Sequence, residues 1–340
     1  MAKITIGDVA EYAQVSQATV SRVLNGNDTV DKELSARVLE AVRVLNYTPN
    51  RMARRLRKES HDVIGLIVSD IQNPHFVSVI KGVEETAYTN ELNVLLCSTN
   101  EDSSRLKKYV EVMRAESVAG LIVVPTSDED AAILATLREY NIPIVVLDRI
   151  IEGFEADGVR SDNEDGAYQL TQHLLDNGYR RIAIVYPNLK TGFERREGYE
   201  AALQERNIPI DPALVKNVGP HIEDGYQNTR DILAGSNLPE AIFTATNLLT
   251  LGALRALREC RFRVPQDIAL VGFDDLPWGD EFAIPVTVAA QQTYQLGKTA
   301  VEVLVRRLGD DSLPYTTHNL KTELIIRESS GVSTSPRPFV

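Results

Sequence analysis

Polar side chains gather in this chain where short apolar runs end. Asp70 and Asn73 follow Val63-Ile64-Gly65-Leu66-Ile67-Val68, and Asp148-Arg149 follows Ile144-Val145-Val146-Leu147. Asn247 follows Phe243-Thr244-Ala245-Thr246, Asp274-Asp275 follows Val271-Gly272-Phe273, and Arg195 reads as the start of a helix. A carboxylate accepts from two adjacent hydroxyls, and a guanidinium donates two parallel hydrogen bonds. Carboxylates, guanidiniums and an amide in one place therefore suit a neutral, polyhydroxylated small molecule. Phe76 and Trp278 offer aromatic faces for a sugar ring. Blander roles compete: Asp148 with Arg149 also fits a surface ion pair, Phe76 a contact between helix and sheet, and Trp278 an interface or core position. Asp70 and Asp275 read better as caps of a turn or helix.

Catalytic signatures are missing. No Gly-x-Gly-x-x-Gly follows the first apolar run, and neither a phosphate-binding loop nor a Gly-x-Ser-x-Gly elbow occurs. His61, His75, His173, His221 and His318 show no metal-ligand spacing with cysteine or acid, so no metal and no cofactor is expected. Cys97 and Cys260 both sit among apolar residues and read as reduced core thiols.

The elements that would position the polar residues alternate. Val63–Val68 is a continuous apolar run, as expected of a parallel strand buried on both faces. Similar runs occupy 94–97, 121–124, 144–147, 182–185, 241–243 and 268–271, with helical patterns over 75–90, 103–115, 129–140, 164–177, 195–206 and 248–260. Two such series predict an α/β body of two doubly wound parallel-sheet lobes, with a ligand cleft at the strand C-termini.

The first 60 residues differ. Ile6, Val9, Ala10 and Ala13 repeat at helical spacing behind Thr5 as N-cap, Gln14-Val15 makes a turn, and Ser16 caps a second helix to about Asn25. A third helix from Lys32 to Leu45 covers the pair, which predicts an all-α helix-turn-helix head. The second helix would enter the major groove of DNA. Gln17 can pair with adenine and Arg22 with guanine, and Ala18 can offer a methyl contact. Thr19, Ser21 and Asn25 suit phosphate or backbone positioning. Pro49 ends the third helix, and Asn50 can cap a short helix to Lys58 in which Met52, Ala53 and Leu56 interrupt the basic residues. Too short and charged to stand alone, that helix would order when two copies pair on DNA and Leu56 wedges into the minor groove.

Charge follows the same division. Residues 1–60 carry ten cations and seven acids, net +3 of a chain total of −12, so residues 61–340 carry −15. The basic end attracts phosphate while the acidic body stays off it. No stretch of about 18 apolar residues suggests a membrane span. The first residues lack a long apolar signal region, so a cytoplasmic protein is expected.

The head and hinge closely resemble those of the LacI/GalR repressor family. Its pattern T-I-x-D-V-A-x-x-A-x-V-S-x-x-T-V-S-R-V-L-N is met from Thr5 to Asn25, and Y-x-P-N-x-x-A-R-x-L from Tyr47 to Leu56. The resemblance implies a periplasmic-binding-protein-like body whose chain crosses between lobes near 161, 290 and 323. The implied division is a head over 1–49, a hinge over 50–60 and an effector-binding, dimerising body over 61–340. Lobe 1 would take about 61–161 and 291–323, and lobe 2 about 162–290 and 324–340. Arg195-Arg196-Glu197-Gly198-Tyr199 looks like the family's effector-touching R-x-x-G-Y/F motif, and Asp274 like the aspartate of its G-F/Y-D motif. Asn247 matches the Asn of its N-D motif, with Leu248 in place of Asp, and Gln291 matches its T-x-x-x-Q glutamine. Asn73, Phe76, Asp148, Arg149, Arg195, Asn247, Asp274 and Gln291 are also similar to the pocket of bacterial ribose-binding proteins. His75 stands where an aromatic residue is common there, and His221 would approach from the second lobe.

The expected function is a homodimeric repressor of carbohydrate metabolism genes, bound to a pseudo-palindromic operator and controlled by a sugar-like effector between the lobes. A free pentose or hexose, a sugar acid held by Arg149 and Arg195, and a nucleoside all fit these residues. The competing readings are a sugar-binding transport component and a sugar-metabolising enzyme with an appended DNA module.

Overall fold

The computed structural model describes residues 4–24, 30–47, 62–277, 279–281 and 283–331. Asn25, Asn50, Ala53, Leu56 and Trp278 lie outside the described residues. The chain divides after His61 into two compact units.

The head is three helices, α1 (Ile6–Ala13), α2 (Gln17–Leu24) and α3 (Lys32–Val44). Its start is fixed by a reciprocal cap: Asp8 N–H donates to Thr5 Oγ1, and Thr5 N–H donates to the Asp8 carboxylate at 2.7 Å. Gln14 takes a left-handed turn (φ 52°), and Ser16 Oγ accepts from Thr19 N–H at 3.1 Å to begin α2. Val9, Ala10, Ala13, Val20, Val38, Ala41 and Tyr47 form a small apolar core. Arg37 of α3 donates to the carbonyls of Ala13 and Gln14, tying the third helix to the turn.

The body, from Asp62, is built around two six-stranded sheets. The first is fed by β1 (Val63–Val68), α4 (Pro74–Thr89), β2 (Asn93–Ser98), α5 (Ser103–Ala115), β3 (Leu121–Val123), α6 (Asp130–Ala135), β4 (Ile144–Leu147) and β5 (Asp157–Ser161). The chain then enters the second sheet through α7 (Asn163–Asp176), β6 (Ile182–Pro187), α8 (Lys190–Glu205), β7 (Val215–Val218) and α9 (Ile222–Leu233). β8 (Ala241–Thr244), α10 (Asn247–Glu259), β9 (Ala269–Phe273) and β10 (Thr287–Ala290) continue it. It returns with α11 (Thr293–Gly309) and β11 (Thr317–Leu320) to the first sheet, then ends in the second with β12 (Glu323–Ile325).

Strand order is β11-β5-β4-β3-β1-β2 in lobe 1 and β12-β10-β9-β8-β6-β7 in lobe 2. Every pairing is parallel except β10 with β12. Helices cover both faces of each sheet, which requires the central strands to be predominantly apolar: β3, β4, β6, β8 and β9 are buried at every position, and the hydroxyl of Thr244 in β8 is hydrogen-bonded.

Four expectations are corrected. The run 94–97 belongs to β2, an edge strand that is not buried on both faces, and Leu96 is 41% exposed. The helix expected over 129–140 stops at Ala135, and a single 3₁₀ turn follows over Arg138–Tyr140. Cys260 is exposed because it falls at the C-cap of α10, and Cys97 is only partly buried on β2, so neither is a core thiol. Arg195 does not start a helix: α8 begins at Lys190, behind a Leu189 N-cap whose side chain makes no capping bond and so leaves no sequence signal.

Candidate functional site

The C-terminal ends of both sheets face one cleft, the usual ligand position in doubly wound sheets. Its cavity is lined by Asn73, His75, Phe76, Asp148, Arg149, Arg195, His221, Asp274 and Gln291, joined by Asp70, Glu101 and Thr191 among others. Asn247, the remaining candidate, starts α10 and reaches across the cleft, donating to Asn73 Oδ1 at 2.9 Å.

Two aspartates organise the cleft. Asp148 follows β4 and Asp274 follows β9, strands that occupy the same place in the order of their sheets. Both take left-handed backbone, φ 68° and 70°, which points a non-glycine residue off the strand end. Arg195 Nη1 stands 3.5 Å from Asp274 Oδ2, and Gln291 donates to Asp274 Oδ1 at 2.5 Å. Burial would raise the Asp274 pKa, but the Arg195 charge, His75 and Gln291 outweigh it and hold the carboxyl near 2. Arg195 is itself positioned from three sides. It donates to Asn163 Oδ1 and the Ala245 carbonyl, and its guanidinium lies 3.8 Å from the centre of the Phe273 ring.

His75 stands at the second position of α4, with Nε2 3.5 Å from Asp148 and Nδ1 3.7 Å from Asp274. Phe76 meets it edge-on at 4.7 Å between ring centres and otherwise packs into the core of lobe 1. Arg149 is engaged differently from a simple pair with its neighbour. Two of its nitrogens grip the Glu101 carboxylate at 2.6 Å each, a third contact goes to the Pro125 carbonyl, and Asp148 is 3.5 Å away. Sequence reading missed Glu101, which sits on left-handed backbone (φ 59°) past β2 with no motif around it. It also missed Asn163, the orienting group for Arg195.

The remaining candidates lie at the margins. His221 is the exposed N-cap residue of α9 and lines the cavity. Asp70 accepts from Gln72 N–H, the turn-cap role, while also lining the cavity. Asp275 caps Leu276 and forms a bidentate pair with Arg327, turned away from ligand duty. Three buried polar atoms in the cleft make no hydrogen bond within the protein: Gln291 Oε1, and His75 Nε2 and Arg149 Nε, each of which has only a longer ionic contact of 3.5 Å to Asp148. Buried polar groups are nearly always satisfied, so such a cluster marks a site built for something else to complete.

On the head, α2 presents Gln17, Ala18 and Arg22 to solvent, while Val20 faces inward. Thr5 and Ser16 are exposed at the helix starts; Thr19 and Ser21 are partly buried. Among the described residues no group of three or more His, Cys, Asp or Glu could hold a metal ion, and no helix is long and apolar enough to cross a membrane.

A family model for bacterial regulatory proteins of the lacI family matches residues 5–50, and one for a periplasmic binding protein-like domain matches 171–330. The HTH-type transcriptional repressor PurR of Histophilus somni is 33% identical over 96% of this chain and 98% of its own. The chain belongs to the lacI family. Another relative, the ribose operon repressor of Haemophilus influenzae, is 32% identical over 96% of this chain and 98% of its own. The lac repressor dimer bound to operator and the anti-inducer ONPF has the same fold, with TM-score 0.88 and 28% identity over 97% of this chain and 99% of that one. A lacI-family regulator of Enterococcus faecium with bound ribose matches at TM-score 0.71 and 28% identity, over 78% of this chain and 98% of its own. The lacI-family head is thus the three-helix unit, and the body is the two-lobed α/β unit.

Proposed function

We propose that the chain is a cytoplasmic transcriptional repressor that binds a pseudo-palindromic operator as a homodimer and is governed by a neutral, polyhydroxylated effector held between the lobes. One observation carries the effector class. The paired groups of the cleft balance one another, three acids (Glu101, Asp148 and Asp274) against Arg149, Arg195 and His75, and the one further acid on its lining, Asp70, only adds negative charge. A sugar or nucleoside offers hydroxyls to such groups, whereas a sugar acid would bring an unpaired charge into a buried site. One relative is named a ribose operon repressor, and a ribose ring presents the adjacent hydroxyls that such groups take.

Gln17 and Arg22 are the proposed base-reading residues, with Ala18 beside them and Thr5, Ser16, Thr19, Ser21 and Asn25 on the backbone. Leu56 is the proposed minor-groove wedge, with Asn50 and Ala53 on the same short DNA-binding segment, Asn50 as its cap. The effector set is Asn73, His75, Phe76, Asp148, Arg149, Arg195, His221, Asn247, Asp274 and Gln291. A regulator of this kind senses its ligand without turning it over, which distinguishes it from a sugar-metabolising enzyme.

A thermal-shift screen of the full chain against neutral sugars, nucleosides and sugar acids tests the reading. Neutral compounds should raise the melting point, and Asp274→Asn should abolish the response. Stabilisation by sugar acids alone, or turnover of any hit, would overturn it.

A further inference from the structure

The two lobes are fastened to each other by side chains at the centre of the cleft. His75 belongs to lobe 1, and its imidazole lies between Asp148 of the same lobe and Asp274 of the other. Each aspartate turns one oxygen toward His75 and the other toward an arginine, Arg149 in the first case and Arg195 in the second. Gln291, on the segment crossing between lobes, donates to Asp274; its amide nitrogen, a donor only, also stands 3.4 Å from His75 Nδ1, which can accept from it when the imidazole is neutral and not when it is protonated. A neutral imidazole has one N–H and could satisfy only one of two carboxylates; an imidazolium has two. With five of these charged side chains buried and Glu101 partly buried beside them, a neutral His75 would leave three acids against two arginines.

Space in the closed cleft is scarce. The cavity measures about 60 Å³, against the several hundred typical of small-molecule sites. A monosaccharide enters only if the lobes part or His75 moves.

We propose that His75 is a proton-dependent latch: its imidazolium crosslinks Asp148 and Asp274 and so holds the lobes closed, and losing the proton releases them. This names a regulatory device within the site assigned above, yet the latch stands whether or not the ligand is a sugar. Burial pulls the His75 pKa down, but hydrogen bonding and charge from Asp148 and Asp274 outweigh it and set the value at about 9. The other charged groups around it act through those partners: Arg149 with Glu101 behind Asp148, and Arg195 behind Asp274. Asp70 and His221 line the cavity but form no ion pair with His75. The sign follows. The ordinary value is 6.5 and the folded value about 9, so the stability contributed by the crosslink is fully present below 6.5 and is lost as pH rises through 9.

The test uses the full chain with no effector and no DNA, so its failure is separate from failure of the repressor reading. Histidine-labelled protein is followed by NMR from pH 6 to 10, the His75 signal being the one missing in His75→Gln. Small-angle scattering over the same range reports lobe separation. The expected result is a His75 midpoint near 9, with an expansion that tracks it and is absent from His75→Gln. Asp274→Asn should move the midpoint back toward 6.5, a shift that a merely space-filling histidine would not show. A His75 that is neutral at pH 7, a midpoint unmoved by Asp274→Asn, or an expansion that persists without His75 overturns the latch.

Discussion

At the residue scale, the site depends on two aspartates in backbone that few side chains favour. Asp274 at φ 70° must be both a charge and a left-handed residue, and the two demands separate by substitution. Asn tolerates left-handed backbone and Ala does not. Asp274→Asn removes the charge alone, whereas Asp274→Ala adds a backbone penalty of about 1 kcal/mol. Urea unfolding should rank Asp274→Ala below Asp274→Asn by roughly that amount. Equal midpoints would show that the backbone at 274 relaxes. Arg195 illustrates how buried charge is tolerated: Asn163, a carbonyl, an aromatic face and Asp274 together satisfy it.

At the element scale, the lobes rely on helices that touch backbone to backbone. A Cβ added to Gly297 of α11 would come within 2.1 Å of the Val79 carbonyl of α4, and one on Gly82 of α4 equally near the Tyr294 carbonyl. Backbone carbonyls cannot swing aside as side chains do, so α4 and α11 would have to separate. Since α4 carries Asn73 as its N-cap and His75 in its first turn, that separation would also disturb the cleft. Gly297→Ala should therefore destabilise the body by about 2 kcal/mol. Gly309→Ala, with nothing within 4 Å of the new methyl, should stay within about 0.5 kcal/mol of the parent. Denaturant midpoints of the pair check this. Parity between the two would mean that the α4 and α11 packing is looser than described.

At the scale of the whole molecule, charge and folding are divided the same way. The head has its own apolar core, and the body has four apolar clusters, two about each sheet. A chain starting at Asp62 is expected to unfold cooperatively and to keep the thermal response to any effector found. It should lose retention on DNA altogether, because the net charge of residues 61–340 is −15. Gel-shift and melting experiments on this fragment decide the matter. DNA binding by the fragment would mean that the acidic body, and not the basic end, supplies phosphate contacts.

Local patterns in the chain were sufficient for the head and for the central strands. Thr5, Asp8 and Ser16 act through hydrogen bonds that span three residues, so their spacing announces the caps. Strands β3, β4, β6, β8 and β9 are buried at every position and almost wholly apolar because both faces are covered, which makes them visible as runs. Edge and crossing elements, such as β5 with Asp157, Arg160 and Ser161, or β7 with Lys216 and Asn217, are short and polar, and periodicity does not single them out. Strand-end positions and family patterns located Asp148, Asp274 and Arg195 in the sequence. Only tertiary structure joined Arg149 to Glu101 and set His75 between two carboxylates 73 and 199 residues away. The reason is physical: a cap is a contact among neighbours in sequence, whereas a buried charge network is a contact among strand ends, and which ends meet is decided by how two sheets pack.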